Sequence, residues 1–176
     1  FILIAGINVI ENFNISIQVA EHIKEVCDKY NIPFIFKASY DKANRSSIDS
    51  YRGPGVDEGL QILKKIKEKL KIKIITDIHT QEEAYKAAEV VDIIQIPAFL
   101  ARQTDLISAI AKTNSFVNIK KPQFISPNQV NNIIQKFIKF GNNNLLICER
   151  GTNFGYDNLV VDMLGFGVIK KTCKNI

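Results

Sequence analysis

Charged and amide side chains follow one apolar run after another in this 176-residue chain. Asn8 closes the first run. Lys37 closes the second, and the stretch beyond it carries Lys42, Asn44, Arg45 and Ser46. Asp77 and His79 follow the third run, Gln95 and then Arg102 the fourth, Lys120 and Lys121 the fifth, and Glu149 and Arg150 the sixth. An arginine fork grips phosphate or carboxylate through paired hydrogen bonds, and a lysine supplies a compact positive charge. If Lys37, Lys42, Arg45, Arg102, Lys120 and Arg150 converge, they repel one another unless polyanions fill the space between them. The expected ligands are therefore one or two phosphorylated molecules, with a carboxylate also accommodated.

Asp77 and His79 form an Asp-x-His pair. They are candidates for metal binding, for proton transfer or for bonding sugar hydroxyls. A metal site needs more ligands, and the only other histidine, His22, is placed on the surface of the first helix. Gly53-Pro54-Gly55 reads as a turn before a helix. Gly151 and Gly155 bracket a second loop. Neither matches a Walker loop or a dinucleotide fingerprint.

The elements that must position these groups are strands and helices in alternation. Apolar runs over 1–7, 32–36, 72–76, 90–96, 115–119 and 144–148 are rich in Ile, Val and Phe with little polar alternation. That is the pattern of strands buried on both faces. Helices are expected over 15–29, 56–70, 81–88, 103–112 and 127–139, with a final helix over 157–171. In the second helix Val56, Leu60, Leu63, Ile66 and Leu70 make an apolar stripe opposite Lys and Glu. Ser126-Pro127 is a helix-start signal and Gly141 a stop. Roughly six βα units result, in one domain over 1–176, with either a doubly wound sheet or a closed barrel. In either, all the strand ends named above share one face, where barrel active sites are built. A whole barrel takes about 250 residues, so the barrel reading leaves about two units unaccounted for.

Composition narrows the classes. Hydrophobic residues make up 46% and charged residues 23%, as in a globular protein and unlike a disordered one. No apolar run reaches the roughly 20 residues of a membrane span. The opening Phe1–Gly6 run has no basic region before it and does not read as a signal peptide. It begins inside a strand, without Met, as a fragment does. The three cysteines, Cys27, Cys148 and Cys173, lack metal or disulfide spacing and read as reduced thiols, with Cys148 in the core. The net charge of +5 raises the possibility of a nucleic-acid partner. That reading requires basic residues interleaved with exposed aromatics, whereas Phe34, Phe36 and Phe116 lie in strands and read as core.

Taken together, several stretches resemble the 3-deoxy-manno-octulosonate 8-phosphate synthases. They are residues 36–47 (Phe-Lys-Ala-Ser-Tyr-Asp-Lys-Ala-Asn-Arg-Ser-Ser), 50–55, 75–79, 95–105, 120–124 and 150–157. The likeness runs in order over essentially the whole chain. Lys-Ala-Asn-Arg-Ser-Ser separates this group from the 3-deoxy-arabino-heptulosonate 7-phosphate synthases, which carry a Lys-Pro-Arg-Thr type segment there.

The resemblance implies a cytoplasmic, homotetrameric (β/α)8 TIM barrel, of which this chain holds about the first six units. It implies condensation of phosphoenolpyruvate with D-arabinose 5-phosphate and water, on the route to the lipopolysaccharide inner core, with neither nucleic acid nor membrane as partner. Catalytic positions would be Asn8, Lys42, Lys120 and Asp77. Lys42, Gln95, Lys120 and Arg150, with Lys37 close by, would hold phosphoenolpyruvate. Asn44, Arg45, Ser46 and Asp77 would hold the aldose phosphate, reached also by Arg102 from a neighbouring subunit. The metal-dependent branch has Cys where this chain has Asn8, a poor transition-metal ligand, so no cofactor or metal is expected. The group's other metal positions and a further His would lie beyond Ile176. Tyr40, Glu149 and Thr152 depart from the group's Phe, Asp and Ala.

Two other readings compete: a heptulosonate synthase, and a non-catalytic anion-binding barrel remnant. Asn44 and Asn8 count against the first, and the retained polar strand ends against the second. On the barrel reading, residues 1–176 alone are expected to be inactive and to self-associate through open strand edges.

Overall fold

The computed structural model describes residues 1–172; Cys173 lies outside the described residues. The chain divides into two compact units. The first holds Phe1–Asp77 and Lys86–Ile93, and the second Ile78–Tyr85 and the chain from Ile94 onward.

The first unit is a βαβαβ run: β1 (Leu3–Gly6), α1 (Phe13–Lys29), β2 (Phe34–Lys37), α2 (Val56–Leu70) and β3 (Lys73–Asp77). β1 and β2 pair in parallel from Leu3 opposite Phe34 to Gly6 opposite Lys37. β2 and β3 pair in parallel from Ile35 opposite Lys73 to Lys37 opposite Ile75. α1 starts two residues earlier than its apolar period indicates because Asn12 caps it, its Oδ1 accepting from the Ile15 N–H at 2.9 Å. α2 carries Asp57 and Glu58 in its first turn and Lys67 and Lys69 in its last, each complementing the helix dipole. Its stripe buries Leu60, Ile62, Leu63 and Ile66, with Phe36, Ile74 and Ile75 of the strands also in the unit's core.

Gly53 and Gly59 serve close packing. Gly53 has φ 123°, and a Cβ there would lie 2.2 Å from the Tyr40 carbonyl oxygen; one on Gly59 would lie 2.2 Å from the Tyr40 Cβ. Tyr40, one of the departures from the resembled group, is fully buried.

α3 (Gln81–Ala88) and β4 (Ile93–Ile96) cross the boundary between the units. The second unit continues with a short 3-10 turn (Ala98–Leu100), α4 (Thr104–Lys112), β5 (Phe116–Lys120), a second 3-10 turn (Pro127–Gln129), α5 (Val130–Lys139) and β6 (Leu145–Cys148). β5 and β6 are parallel, from Val117 opposite Leu145 to Lys120 opposite Cys148. The Ser126-Pro127 start signal produces the 3-10 turn, where the Ser126 N–H donates to Gln129 Oε1 at 3.3 Å. Gly141 ends α5 with φ 90°, and its N–H donates to the Ile138 carbonyl at 2.9 Å.

Strand order follows chain order, β1-β2-β3-β4-β5-β6, without reversal. A doubly wound sheet reverses its order at a switch point, whereas unbroken βα progression is that of the (β/α)8 barrel. The fold class is that of the barrel, represented here by six βα units.

Several expectations need correction. Residues 157–163 are not helical. Thr152–Asn153 (β7) and Leu159–Val160 (β8) form an antiparallel hairpin, turning at Asp157 with φ 55°. The extended preference of Leu159-Val160-Val161 wins there, and α6 (Leu164–Thr172) starts only where Asp162 Oδ1 accepts from the Leu164 N–H at 3.0 Å. Phe116 is 55% exposed and not core, because it opens β5 with its side chain outward. Phe34 is half-buried. Cys148, placed in the core from sequence, is partly exposed, whereas Cys27 is buried.

Candidate active site

In the first unit, parallel pairing brings the ends of β2 and β3 side by side. Lys37 Nζ donates to Asp77 Oδ1 at 2.7 Å and to Ser39 Oγ at 2.7 Å, and Ser39 Oγ also donates to Asp77 Oδ1. The Lys37 and Asp77 side chains are 18% and 9% exposed, so the pair is largely desolvated, and Coulomb attraction at this range is stronger than in water. Thr76 Oγ1 braces the same corner, donating to the Ala38 carbonyl at 2.7 Å. Sequence reasoning missed Ser39. Its signal is spacing: two residues beyond Lys37 in extended chain, it faces the same side.

The loop from β2 to α2 holds the next candidates. Lys42 is half-buried, and its backbone N–H donates to the Arg52 carbonyl at 2.7 Å. Arg52 in turn donates through Nε to Asp41 Oδ1 at 2.8 Å, and this hydrogen bond with the Asp41 charge raises the Arg52 pKa. Asn44, Arg45 and Ser46 are solvent-exposed, with Arg45 Nε reaching the Tyr51 carbonyl at 3.4 Å. Asn8, beyond β1, is exposed as well. The first unit thus assembles Lys37, Ser39 and Asp77 tightly and leaves Asn8 and 44–46 in the open.

In the second unit, His79 and Glu83 answer each other across one turn. The His79 N–H donates to Glu83 Oε2 at 2.8 Å, and His79 Nδ1 lies 3.3 Å from the same oxygen. Among the described residues no three His, Cys, Asp or Glu side chains group as metal ligands. His22 is exposed on α1 of the first unit, as expected.

Gln95, at the end of β4, is 6% exposed, and its Oε1 accepts from Asn118 Nδ2 of β5 at 3.2 Å. Asn118 was also missed; inside an apolar run, it reads as an interruption until its partner is seen. Lys120 ends β5 half-buried, and Arg150 is half-buried two residues beyond Cys148, the register partner of Lys120. Arg102 is exposed, and its carbonyl accepts from Lys136 Nζ at 2.9 Å.

Lys121 differs from its neighbour completely. It is fully buried. Its ammonium lies 3.2 Å from the Gly151 carbonyl, 3.3 Å from that of Pro122 and 3.5 Å from that of Ile125. Thr152 Oγ1 at 3.3 Å and Glu149 Oε1 at 3.5 Å complete its surroundings. Two of the three departures from the resembled group, Glu149 and Thr152, therefore meet on this one charge.

In each unit taken by itself, charged and amide groups stand at the ends of parallel strands, the placement that characterises βα-barrel proteins and suits anions. The chain belongs to the DAHP synthetase I family, which matches residues 1–176. It is 62% identical over 176 residues to the 2-dehydro-3-deoxyphosphooctonate aldolase of Parasynechococcus marenigrum (strain WH8102) and 64% identical over 176 residues to that of Prochlorococcus marinus (strain MIT 9313). With the protein of that name from Cronobacter sakazakii (strain ATCC BAA-894) it is 58% identical over 175 residues. These alignments cover 99–100% of this chain and 62% of each relative, so the chain spans rather less than two thirds of their length.

Proposed function

We propose that the protein carrying this chain is a synthase that joins phosphoenolpyruvate to D-arabinose 5-phosphate and water, forming 3-deoxy-D-manno-octulosonate 8-phosphate and releasing phosphate. The observation that carries this reading is the full-chain identity of 58–64% to relatives named 2-dehydro-3-deoxyphosphooctonate aldolase. The chemistry of the strand ends supports it. Lys42, Gln95, Lys120 and Arg150, with Lys37 nearby, hold phosphoenolpyruvate. Asn44, Arg45, Ser46 and Asp77 hold the aldose phosphate, and Arg102 reaches it from a neighbouring copy in a homotetramer.

In the reaction the enol carbon of phosphoenolpyruvate bonds to the aldehyde carbon while the aldehyde oxygen takes a proton. Water adds at C2 and gives up a proton; the tetrahedral centre then collapses to a ketone as the C2–O bond to phosphate breaks, and phosphate leaves with that bond's electrons and the proton of the C2 hydroxyl. Cations on the phosphate and carboxylate stabilise charge as it moves through that centre, and fixing two substrates face to face removes much of the entropic barrier. The desolvated Lys37–Asp77 pair suits this work. Asp77 accepts hydrogen bonds from aldose hydroxyls, and the Lys37 ammonium 2.7 Å away supplies its counter-charge. Asn8, with no thiolate to offer, supports operation without a metal. The product would serve lipopolysaccharide inner-core synthesis in the cytoplasm.

The test is phosphate release from phosphoenolpyruvate by the full natural chain. Arabinose 5-phosphate should support it, before and after chelator treatment, and erythrose 4-phosphate should not, because a site built to pair a hydroxyl discriminates strongly. Equal turnover with erythrose 4-phosphate indicates a heptulosonate synthase instead. Loss of activity with EDTA, restored by a divalent ion, removes the metal-independent part of the proposal.

A further inference from the structure

The geometry points to Lys121 as a positioning residue that sets the separation and orientation of Lys120 and Arg150; this inference rests on the phosphoenolpyruvate reading above. An ammonium has three protons and no acceptor, and here five oxygens share them. Pro122 and Ile125 belong to the segment after β5; Glu149, Gly151 and Thr152 belong to the segment after β6. One fully buried charge therefore ties the two segments together.

Backbone links run alongside it. The Lys121 N–H donates to the Cys148 carbonyl at 2.9 Å, and the Asn153 N–H to the Gln123 carbonyl at 3.0 Å. Lys120 is the residue before this anchor, and Arg150 sits between two of its partners. Glu149 Oε1 also accepts from the Gly151 N–H at 2.7 Å, closing a short arc over the Arg150 backbone. Gly151 makes that arc possible with φ 94°.

Lys121 itself cannot meet a substrate, since no part of it reaches solvent. Stability alone is a poor reason for burying it. Taking an ion pair out of water is costly, and an apolar replacement of the whole pair is often neutral or stabilising. What the arrangement supplies is a fixed path between two cations that must grip one small polyanion. A misplacement of about 1 Å in such a site costs up to about a hundredfold in rate.

The informative variant is the double substitution Lys121→Met with Glu149→Gln in the full natural chain. It removes both buried charges, and the glutamine oxygen still accepts from Gly151. Expected are faster amide exchange at Gly151 and Asn153, by about tenfold or more, and weaker phosphoenolpyruvate binding by calorimetry, also by about tenfold. KM for phosphoenolpyruvate should rise in parallel, with KM for the aldose phosphate within about twofold of wild type. Thr152→Val, which removes one oxygen of the five, should shift the same quantities in the same direction by a few-fold, and serves if the double variant does not fold.

Unchanged exchange and unchanged phosphoenolpyruvate affinity overturn the inference. So does an equal decline for both substrates that tracks the folded fraction, the result expected of a merely structural lysine. If wild type binds phosphoenolpyruvate without condensing it, the synthase reading fails while affinity and exchange still decide the role of Lys121. If wild type binds none, exchange at Gly151 and Asn153 decides the anchor alone, and no change there sinks it.

Discussion

Lys37 and Asp77 stand 40 positions apart in the chain and meet at 2.7 Å, at the ends of neighbouring parallel strands. Ser39 bonds to both, so the carboxylate is held by an ammonium and a hydroxyl together. Asp77→Asn keeps the shape and removes the charge. The largely buried Lys37 ammonium then loses its counter-charge, at a cost of about 1–3 kcal/mol in unfolding free energy. Condensation should fall by about a hundredfold or more. Denaturant melts and phosphate-release rates measure the two effects. A variant as active as wild type removes Asp77 from the site.

Adjacent lysines should respond in opposite ways. Lys120 is half-buried at a strand end, in a region proposed to concentrate cations, so Lys120→Ala should cut turnover strongly and leave the melting temperature unchanged or slightly raised. Lys121→Ala strips a fully buried charge from Glu149, whose side chain is 5% exposed. Breaking a buried pair from one side costs roughly 3–5 kcal/mol. Parallel thermal melts and specific activities per folded molecule test the contrast. A large drop in melting temperature for Lys120→Ala with full activity per folded molecule makes that residue structural.

Asp92 should give the first unit an acid-sensitive component of stability. Burial pushes its carboxyl upward, but the Ile74 N–H, Lys73 and Lys67 outweigh that and hold the pKa below its ordinary value of 3.8. The hydrogen bonds from Ile74 N and Lys73 Nζ are each 2.9 Å. A carboxyl lowered in the folded state stabilises fully above its unfolded pKa, and the contribution is lost as pH falls through the folded value. Asp92→Asn should therefore have a lower urea midpoint than wild type at pH 7, with the gap closing in acid. A gap of the same size at pH 7 and pH 2 contradicts the assignment.

The periodic and local features were legible in the residues alone. α2 and α3 begin and end where apolar spacing, first-turn acids and last-turn lysines place them. The six strands announce themselves as apolar runs rich in Ile, Val and Phe, and the chemistry-bearing groups fall at or just past their ends. These are one-dimensional signals, set by 3.6- and two-residue periods and by caps a few positions away. Tertiary structure decided the partnerships. Nothing in the run Lys120-Lys121 tells which ammonium is sealed in; that depends on Gly151 and Thr152 some 30 positions on. Ser39 and Asn118 join polar clusters only because parallel register sets them beside Asp77 and Gln95. The 152–160 hairpin displaced an expected helix because a turn at Asp157 and pairing between Thr152 and Val160 satisfy backbone groups that helical periodicity does not count. A charge or amide is neutral information in sequence; its burial and its partner, both non-local, determine whether it binds, braces or faces water.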